Sequence, residues 1–238
     1  MNRVTLTIDG KEIKAIKGQT ILKAADAAGI FIPRLCAYRD LTPHGSCRVC
    51  SVRVNGRIQA ACVQTVAEGA IVENDTPELM EIRRNIIDML FVEGNHYCMF
   101  CEKSGFCELQ ALAYRFGIKA PRYTFLYPKR DIDLSHPNVY LDHNRCILCG
   151  RCVRASQDMD NKNVFQFVER GGRKRLQVNG DSLSETDLKA TDEAVSVCPV
   201  GALMKKRVGY EVPVGSRRYD EHPIGDDIEI KGEKQDGA

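Results

Sequence analysis

Eleven cysteines in 238 residues constrain this chain more than any other feature. They fall into three sets: Cys36, Cys47, Cys50 and Cys62; Cys98, Cys101 and Cys107; and Cys146, Cys149, Cys152 and Cys198. The spacings are C-x10-C-x2-C-x11-C, C-x2-C-x5-C and C-x2-C-x2-C-x45-C, the last followed by Pro199. An odd number cannot pair fully as disulfides. The N-terminus, Met1-Asn2-Arg3-Val4-Thr5, opens straight into alternating polar and apolar residues, with no signal-peptide core. The expectation is a cytoplasmic chain with reduced thiols, and so many reduced thiols point to metal. Adding His96, just ahead of the second set, makes twelve donors in three groups of four.

The third set is the most informative. C-x2-C-x2-C puts three thiolates on one tight turn, suited to three irons of a single cubane, whereas zinc favours two close pairs. In two-cluster bacterial ferredoxins a fourth cysteine follows three residues on and serves the other cluster. Ser156 stands at that place here, so the remaining ligand comes from afar, and Cys198 with Pro199 suits it. The reading is one [4Fe–4S] cluster on Cys146, Cys149, Cys152 and Cys198. The first set is similar to plant-type [2Fe–2S] ligation, with a first gap of ten residues instead of four. Gly45, Ser46 and Arg48 flank its inner pair, where small residues let backbone amides approach the cluster. A zinc site is the alternative for either four-cysteine set. In the second set three thiolates leave one iron of a cubane open. His96 either completes it or donates to it from outside, another group then being the ligand. His44, His136, His143 and His222 read as surface residues.

Local patterns place these sets on an α+β framework. Residues 4–8 and 12–16 alternate around Asp9-Gly10, a hairpin turn, and 51–54 and 57–60 do so around Asn55-Gly56. Between them Thr20 caps a helix that stops at Gly29. Hairpin, helix and further strands predict a β-grasp over residues 1–75. Residues 77–92 predict a helix, with Pro77 in its first turn and Leu79, Ile82, Ile86, Met89 and Leu90 on one face. A helix over 108–116 follows, making 76–117 a small helical domain. Residues 118–139 carry Pro121, Pro128 and Pro137 and read as a connector. Residues 140–208 form the third domain, with a hairpin at 164–168 and 176–178 and a helix over 186–197. The charged tail, 209–238, reads as extended, either disordered or ordered by a partner.

The rest of the sequence excludes more than it asserts. Lys plus Arg number 34 and Asp plus Glu 32, a formal charge of +2, which gives no footprint for nucleic acid. The longest apolar stretch, 86–92, is interrupted by Asp88 and too short to span a membrane. No phosphate-binding loop, dinucleotide fingerprint or nucleophile elbow is present. Nothing in the sequence therefore binds NAD, FMN or a substrate.

Several segments together resemble a known family. They are Ile32-Pro33-Arg34-Leu35-Cys36, Gly45-Ser46-Cys47-Arg48-Val49-Cys50, Cys107-Glu108-Leu109-Gln110, Arg145 to Arg154 and Cys198-Pro199-Val200-Gly201-Ala202-Leu203. They look like the N-terminal iron–sulfur module of the complex I 75-kDa subunit, also found in iron-only hydrogenases and some formate dehydrogenases. The resemblance covers about residues 1–208. The chain's length, Gly94-Asn95-His96-Tyr97-Cys98 and the stretch Val208 to Gly215 look like the diaphorase small subunits of NAD-reducing, bidirectional nickel–iron hydrogenases. The resemblance implies one [2Fe–2S] and two [4Fe–4S] clusters in an electron-relay subunit. It implies a flavoprotein partner with FMN and NAD(H), and nickel–iron hydrogenase small and large subunits. The alternative is the iron–sulfur subunit of a complex I-like or NAD-dependent formate dehydrogenase. The wider family has histidine four residues before the first cysteine of the second set, where this chain has Gly94. The family's order of electron passage is the first set, then the third, then the second. Counting thiolates gives the three oxidised clusters about −2, −2 and −1. A free ferredoxin-like carrier and a colourless zinc-stabilised interaction protein are the other classes to separate by experiment.

Overall fold

The computed structural model of the chain describes residues 3–230. Strands β1 (Arg3–Ile8) and β2 (Lys11–Ile16) pair antiparallel, with Ile8 opposite Lys11. Asp9 and Gly10 turn the chain with φ of 50° and 81°, which matches the right-handed twist of the flanking strands. Helix α1 (Ile21–Ala27) starts at Thr20, whose hydroxyl accepts the Lys23 N–H at 3.3 Å. Strands β3 (Ser51–Val54) and β4 (Arg57–Ala60) turn at Asn55-Gly56 in the same way. A short β5 (Ile71–Glu73) lies parallel to β1 and antiparallel to β3, giving the order β2-β1-β5-β3-β4. Three residues with no turn signal of their own become a strand because two neighbours offer them open edges. Leu6, Ile8, Ile21, Val52 and Val72 form the core beneath α1. Each such buried side chain contributes about 1.5–3 kcal/mol.

Helix α2 (Pro77–Glu93) is capped by Thr76, whose hydroxyl accepts the Leu79 N–H, and ends at Gly94. Its buried face is Leu79, Arg83, Ile87 and Val92, rotated from the expected apolar face, and Met89 is exposed. The rotation follows from two buried polar residues. Arg83 donates to the carbonyls of Asn74 and Ser51 at 2.9 Å, and Asp88 pairs with Arg122 at 2.6 Å. Helix α3 (Glu108–Arg115) follows the second cysteine set.

Beyond α3 the chain is less empty than its prolines imply. Ile132–Asp133 form β6, which pairs with β7 (Val139–Asp142). Helix α4 (Arg151–Asp158) and the hairpin of β8 (Phe165–Val168) and β9 (Arg175–Val178) come next. The helix expected over 186–197 is only α5 (Glu193–Ser196). The residues before it are bound otherwise: Leu188 O meets His136 Nε2 at 3.0 Å, and Asp192 accepts the Lys189 N–H at 2.8 Å. His136 is therefore a buried core residue and not a surface one. Strand β10 (Leu203–Lys205) closes a sheet of order β10-β7-β6.

The described part of the tail, through residue 230, is not simply extended and makes contacts with the rest of the chain. It forms α6 (Arg218–Glu221), and Tyr219 N donates to Gly105 O at 2.9 Å. Arg115 pairs with Glu229 at 2.5 Å, while Ile224 and Ile228 pack on the central core. That core joins Leu35 and Val49 of the first domain, Ile87 of α2, Leu109 and Leu112 of α3, and Val200. Among the described residues no helix is long and apolar enough to cross a membrane.

Candidate metal centres

The loop between α1 and β3 brings Cys36, Cys47 and Cys50 beside Cys62, which follows β4. Cys36, Cys50 and Cys62 are buried. Arg48 takes φ of +60° between the inner cysteines, and Ser51 Oγ holds its carbonyl at 2.7 Å. The thiols lie near one another, Cys36 beside Cys47 and Cys62, and Cys50 beside Cys62. Cys36 receives hydrogen bonds from Cys47 and Cys62, which hold it far below the ordinary thiol range; Cys50 is brought to about 7 mainly by its bond from Cys62. Cys47 and Cys62, as the donors, are pushed up. Cys36 N lies 3.4 Å from Cys47 Sγ, and the Ser46 hydroxyl also bonds Cys36. Thiols that share protons this closely would give them up to a shared metal centre.

The second set lines a small pocket shared by His96, Cys98, Cys101, Cys107, Gln110, Arg145 and Gly201. Cys107 occupies the N-cap position of α3 without a side-chain cap hydrogen bond, although the backbone N–H groups of Gln110 and Leu109 lie near enough to lower its thiol. Burial nevertheless pushes its thiol up to about 12. His96 Nε2 is enclosed and has no hydrogen-bond partner. Burial brings its imidazole down to about 4, so at neutral pH it is an uncharged ring with a lone pair to offer. Gly94 explains its placement: a Cβ there would lie 2.7 Å from His96 Nε2 and 2.9 Å from Asn144 O. The imidazole thus fills the space that a side chain at position 94 would need.

The third set lines a small pocket that contains Cys146, Cys149, Cys152 and Cys198 and otherwise apolar residues such as Leu141, Phe167 and Leu176, with backbone at Gly150. Leu148, at φ +52°, directs its amide to Cys146, and the amides of Arg151 and Val153 serve Cys149 and Cys152. Burial raises all three thiols, Cys146 to about 11 and Cys149 to about 12. Ser156 is buried away from this lining, its hydroxyl accepting the Val164 N–H at 3.1 Å. Among the described residues no three Cys, His, Asp or Glu side chains meet at a point suited to one metal ion.

The sites adjoin in an order that the sequence conceals. Glu108 N, next to Cys107, donates to Pro199 O, next to Cys198, at 2.8 Å. Gly201 packs so tightly on Cys101 that a Cβ would lie 2.7 Å from its sulfur. Arg151, buried in α4, pairs with Glu108 of α3 at 2.6 Å. The second and third sites thus share a wall.

Comparison with known proteins agrees with this division. Residues 1–77 match a 2Fe-2S iron-sulfur cluster binding domain, 83–122 the NADH-ubiquinone oxidoreductase-G iron-sulfur binding region, and 136–204 the ferredoxin-like domain of NADH-quinone oxidoreductase subunit 3. The chain is 39% identical over 218 residues to the gamma subunit of the NAD-reducing hydrogenase HoxS of Cupriavidus necator, covering 91% of this chain and 93% of that one. The chain belongs to the family of NAD-reducing hydrogenase gamma subunits. A solved NAD+-reducing nickel–iron hydrogenase in its H2-reduced state contains a chain of the same fold, with a TM-score of 0.90, 48% identity and coverage of 92% and 94%. The mitochondrial 78 kDa subunit of NADH-ubiquinone oxidoreductase from Candida albicans is 31% identical over 85% of this chain, which spans 28% of that longer protein. As a gamma-subunit relative, this is an α+β iron–sulfur protein with one [2Fe–2S] and two [4Fe–4S] clusters.

Proposed function

We propose that the chain is the electron-relay subunit of an NAD-reducing hydrogenase, carrying electrons between an FMN- and NAD(H)-binding diaphorase subunit and a nickel–iron hydrogenase module. The observation that carries this reading is the near full-length match to a hydrogenase gamma subunit together with three groups of candidate donors. Cys36, Cys47, Cys50 and Cys62 would hold the [2Fe–2S] cluster in a domain over 1–75. His96, Cys98, Cys101 and Cys107 would hold one [4Fe–4S] cluster within 76–117. Cys146, Cys149, Cys152 and Cys198 would hold the other within 140–208.

Bound clusters supply one-electron chemistry, and the chain's residues set where and at what potential. Tunnelling falls steeply with distance, so a long gap is best divided into short ones. The shared wall of the second and third sites supports placing them next to each other in that path. Amide N–H groups aimed at the cysteine sulfurs favour the electron-rich state. His96 as a neutral donor leaves its site one negative charge poorer than an all-thiolate cubane, which raises its potential.

Anaerobic purification of the assembled complex tests the reading. The chain should contain roughly ten irons and ten acid-labile sulfides, and flavoprotein and nickel–iron subunits should accompany it. Roughly six irons, or a chain that purifies alone and colourless with zinc, would overturn it.

A further inference from the structure

The first and third sites meet at one side chain. Arg154 lies on α4, two residues past Cys152, and is half-buried. Its Nη2 donates to Cys36 O at 2.6 Å and to Cys149 O at 3.5 Å. Nη1 donates to Thr42 O at 2.5 Å, and Nε to Gly150 O at 3.1 Å. Thr42 belongs to the loop between the first two cysteines of the first set. Gly150 belongs to the turn between Cys149 and Cys152. One planar guanidinium therefore joins the cysteine loop of one site to that of the other, across 118 residues of sequence.

Two properties of this contact go beyond tying two loops together. The guanidinium is rigid and forked, so the two carbonyls that share Nη2 are held at a set separation. Each of its four partners is a neutral carbonyl, so none of them cancels its charge. The groups that adjoin Arg154 on either side are, when loaded, anionic centres of about −2 each. Such centres repel, and each resists taking an electron while the other is reduced.

We propose that Arg154 is a positioning residue for electron exchange between the [2Fe–2S] site and the all-cysteine [4Fe–4S] site, fixing their spacing and placing a permanent positive charge beside both. This rests on the three-cluster reading above. The path from the first site to the third then runs through Cys36 O, the guanidinium and Cys149 O. The charge favours the reduced state of both centres, because reduction adds an electron on either side of it.

The test uses the full chain, purified anaerobically with its clusters, in wild-type, Arg154→Met and Arg154→Lys forms. EPR-monitored redox titration gives the potentials of the two centres, and the spectrum with both reduced gives their spin–spin interaction. Arg154→Met should lower both potentials and weaken the interaction while iron and sulfide content stay at wild type. Arg154→Lys keeps the charge but not the fork. Its potentials should return toward wild type, and the interaction should stay weak. Wild-type potentials and interaction in both variants would overturn the proposal. If Arg154→Met loses its iron, Arg154→Lys decides: a weakened interaction supports the assignment and an unchanged one overturns it. A wild-type chain lacking either signal would instead defeat the three-cluster reading itself.

Discussion

Replacing Gly94 by alanine should cost the second site its histidine donor, although the backbone there tolerates any residue. Gly94 has φ of −113° and ψ of 178°, which is extended chain. On conformational entropy alone Gly94→Ala would stabilise the protein by about 0.4–1 kcal/mol, by restricting the unfolded chain. The folded state opposes this. The new Cβ would sit 2.7 Å from His96 Nε2, 2.8 Å from its Cδ2 and 2.9 Å from Asn144 O. Asn144 O cannot retreat freely, because it accepts the Asn95 N–H at 2.8 Å. Overpacking of this kind costs about 1–3 kcal/mol, so the net is a destabilisation of up to about 2.6 kcal/mol. The imidazole, at the end of a side chain, gives way first, and it takes the proposed donor atom out of the site. Iron should fall from roughly ten to roughly six per chain, with loss of one cubane signal in EPR of the reduced protein. The clash with His96 itself is isolated by a cycle with His96→Ala. In that background only Asn144 O still opposes the new methyl, so the two substitutions should couple by about 0.5–3 kcal/mol in thermal or denaturant unfolding. Full iron, an unaltered cubane signal and additive energies would refute the reasoning.

Three further outcomes follow from the same geometry. His96→Cys should keep the cluster and lower its potential by adding a thiolate, whereas His96→Ala should leave it labile; wild-type potential and iron in both would make His96 a mere neighbour. Ser156→Ala should retain all iron, because the hydroxyl serves Val164 N and not the cavity, yet cost about 1–3 kcal/mol in denaturant unfolding for the unmet buried amide; loss of the C-terminal cubane would sink the Cys198 assignment. Arg151→Met should destabilise by about 1.5–3 kcal/mol by removing its charged hydrogen bonds to the partly exposed Glu108, with partial recovery in Arg151→Met/Glu108→Gln, and denaturation of the three proteins measures both.

Much of the candidate site could be proposed from the sequence because the spacing of neighbouring cysteines is a local property. Cys146, Cys149 and Cys152 lie within one turn, and their spacing alone brings three sulfurs together. The histidine could be counted but not placed: that the residue at position 94 must lack a side chain to admit the His96 ring is visible only in three dimensions. The role of Arg154 left no trace in spacing, since its partners at Cys36 and Thr42 lie more than a hundred residues away. The proximity of an arginine to a cluster motif is, by itself, uninformative.

The turns at Asp9-Gly10 and Asn55-Gly56, the caps at Thr20 and Thr76 and the start of α2 at Pro77 were determined by the sequence itself, because each depends on backbone dihedrals and hydrogen bonds within a few residues. Tertiary structure alone decided what depends on surfaces meeting. The sheet edges of β1 and β3 made a strand of Ile71–Glu73, and buried Arg83 and Asp88 turned the inner face of α2. A carbonyl bonded to His136 stopped a helix from forming over 186–192. The described part of the tail folded onto α3 and Phe31. The adjacency of the sites belongs to the same class: the third lies against both the first and the second, whatever their order along the chain. Short-range dihedral preferences act the same way wherever the segment is placed. Burial and long-range hydrogen bonds exist only once distant segments close on one another.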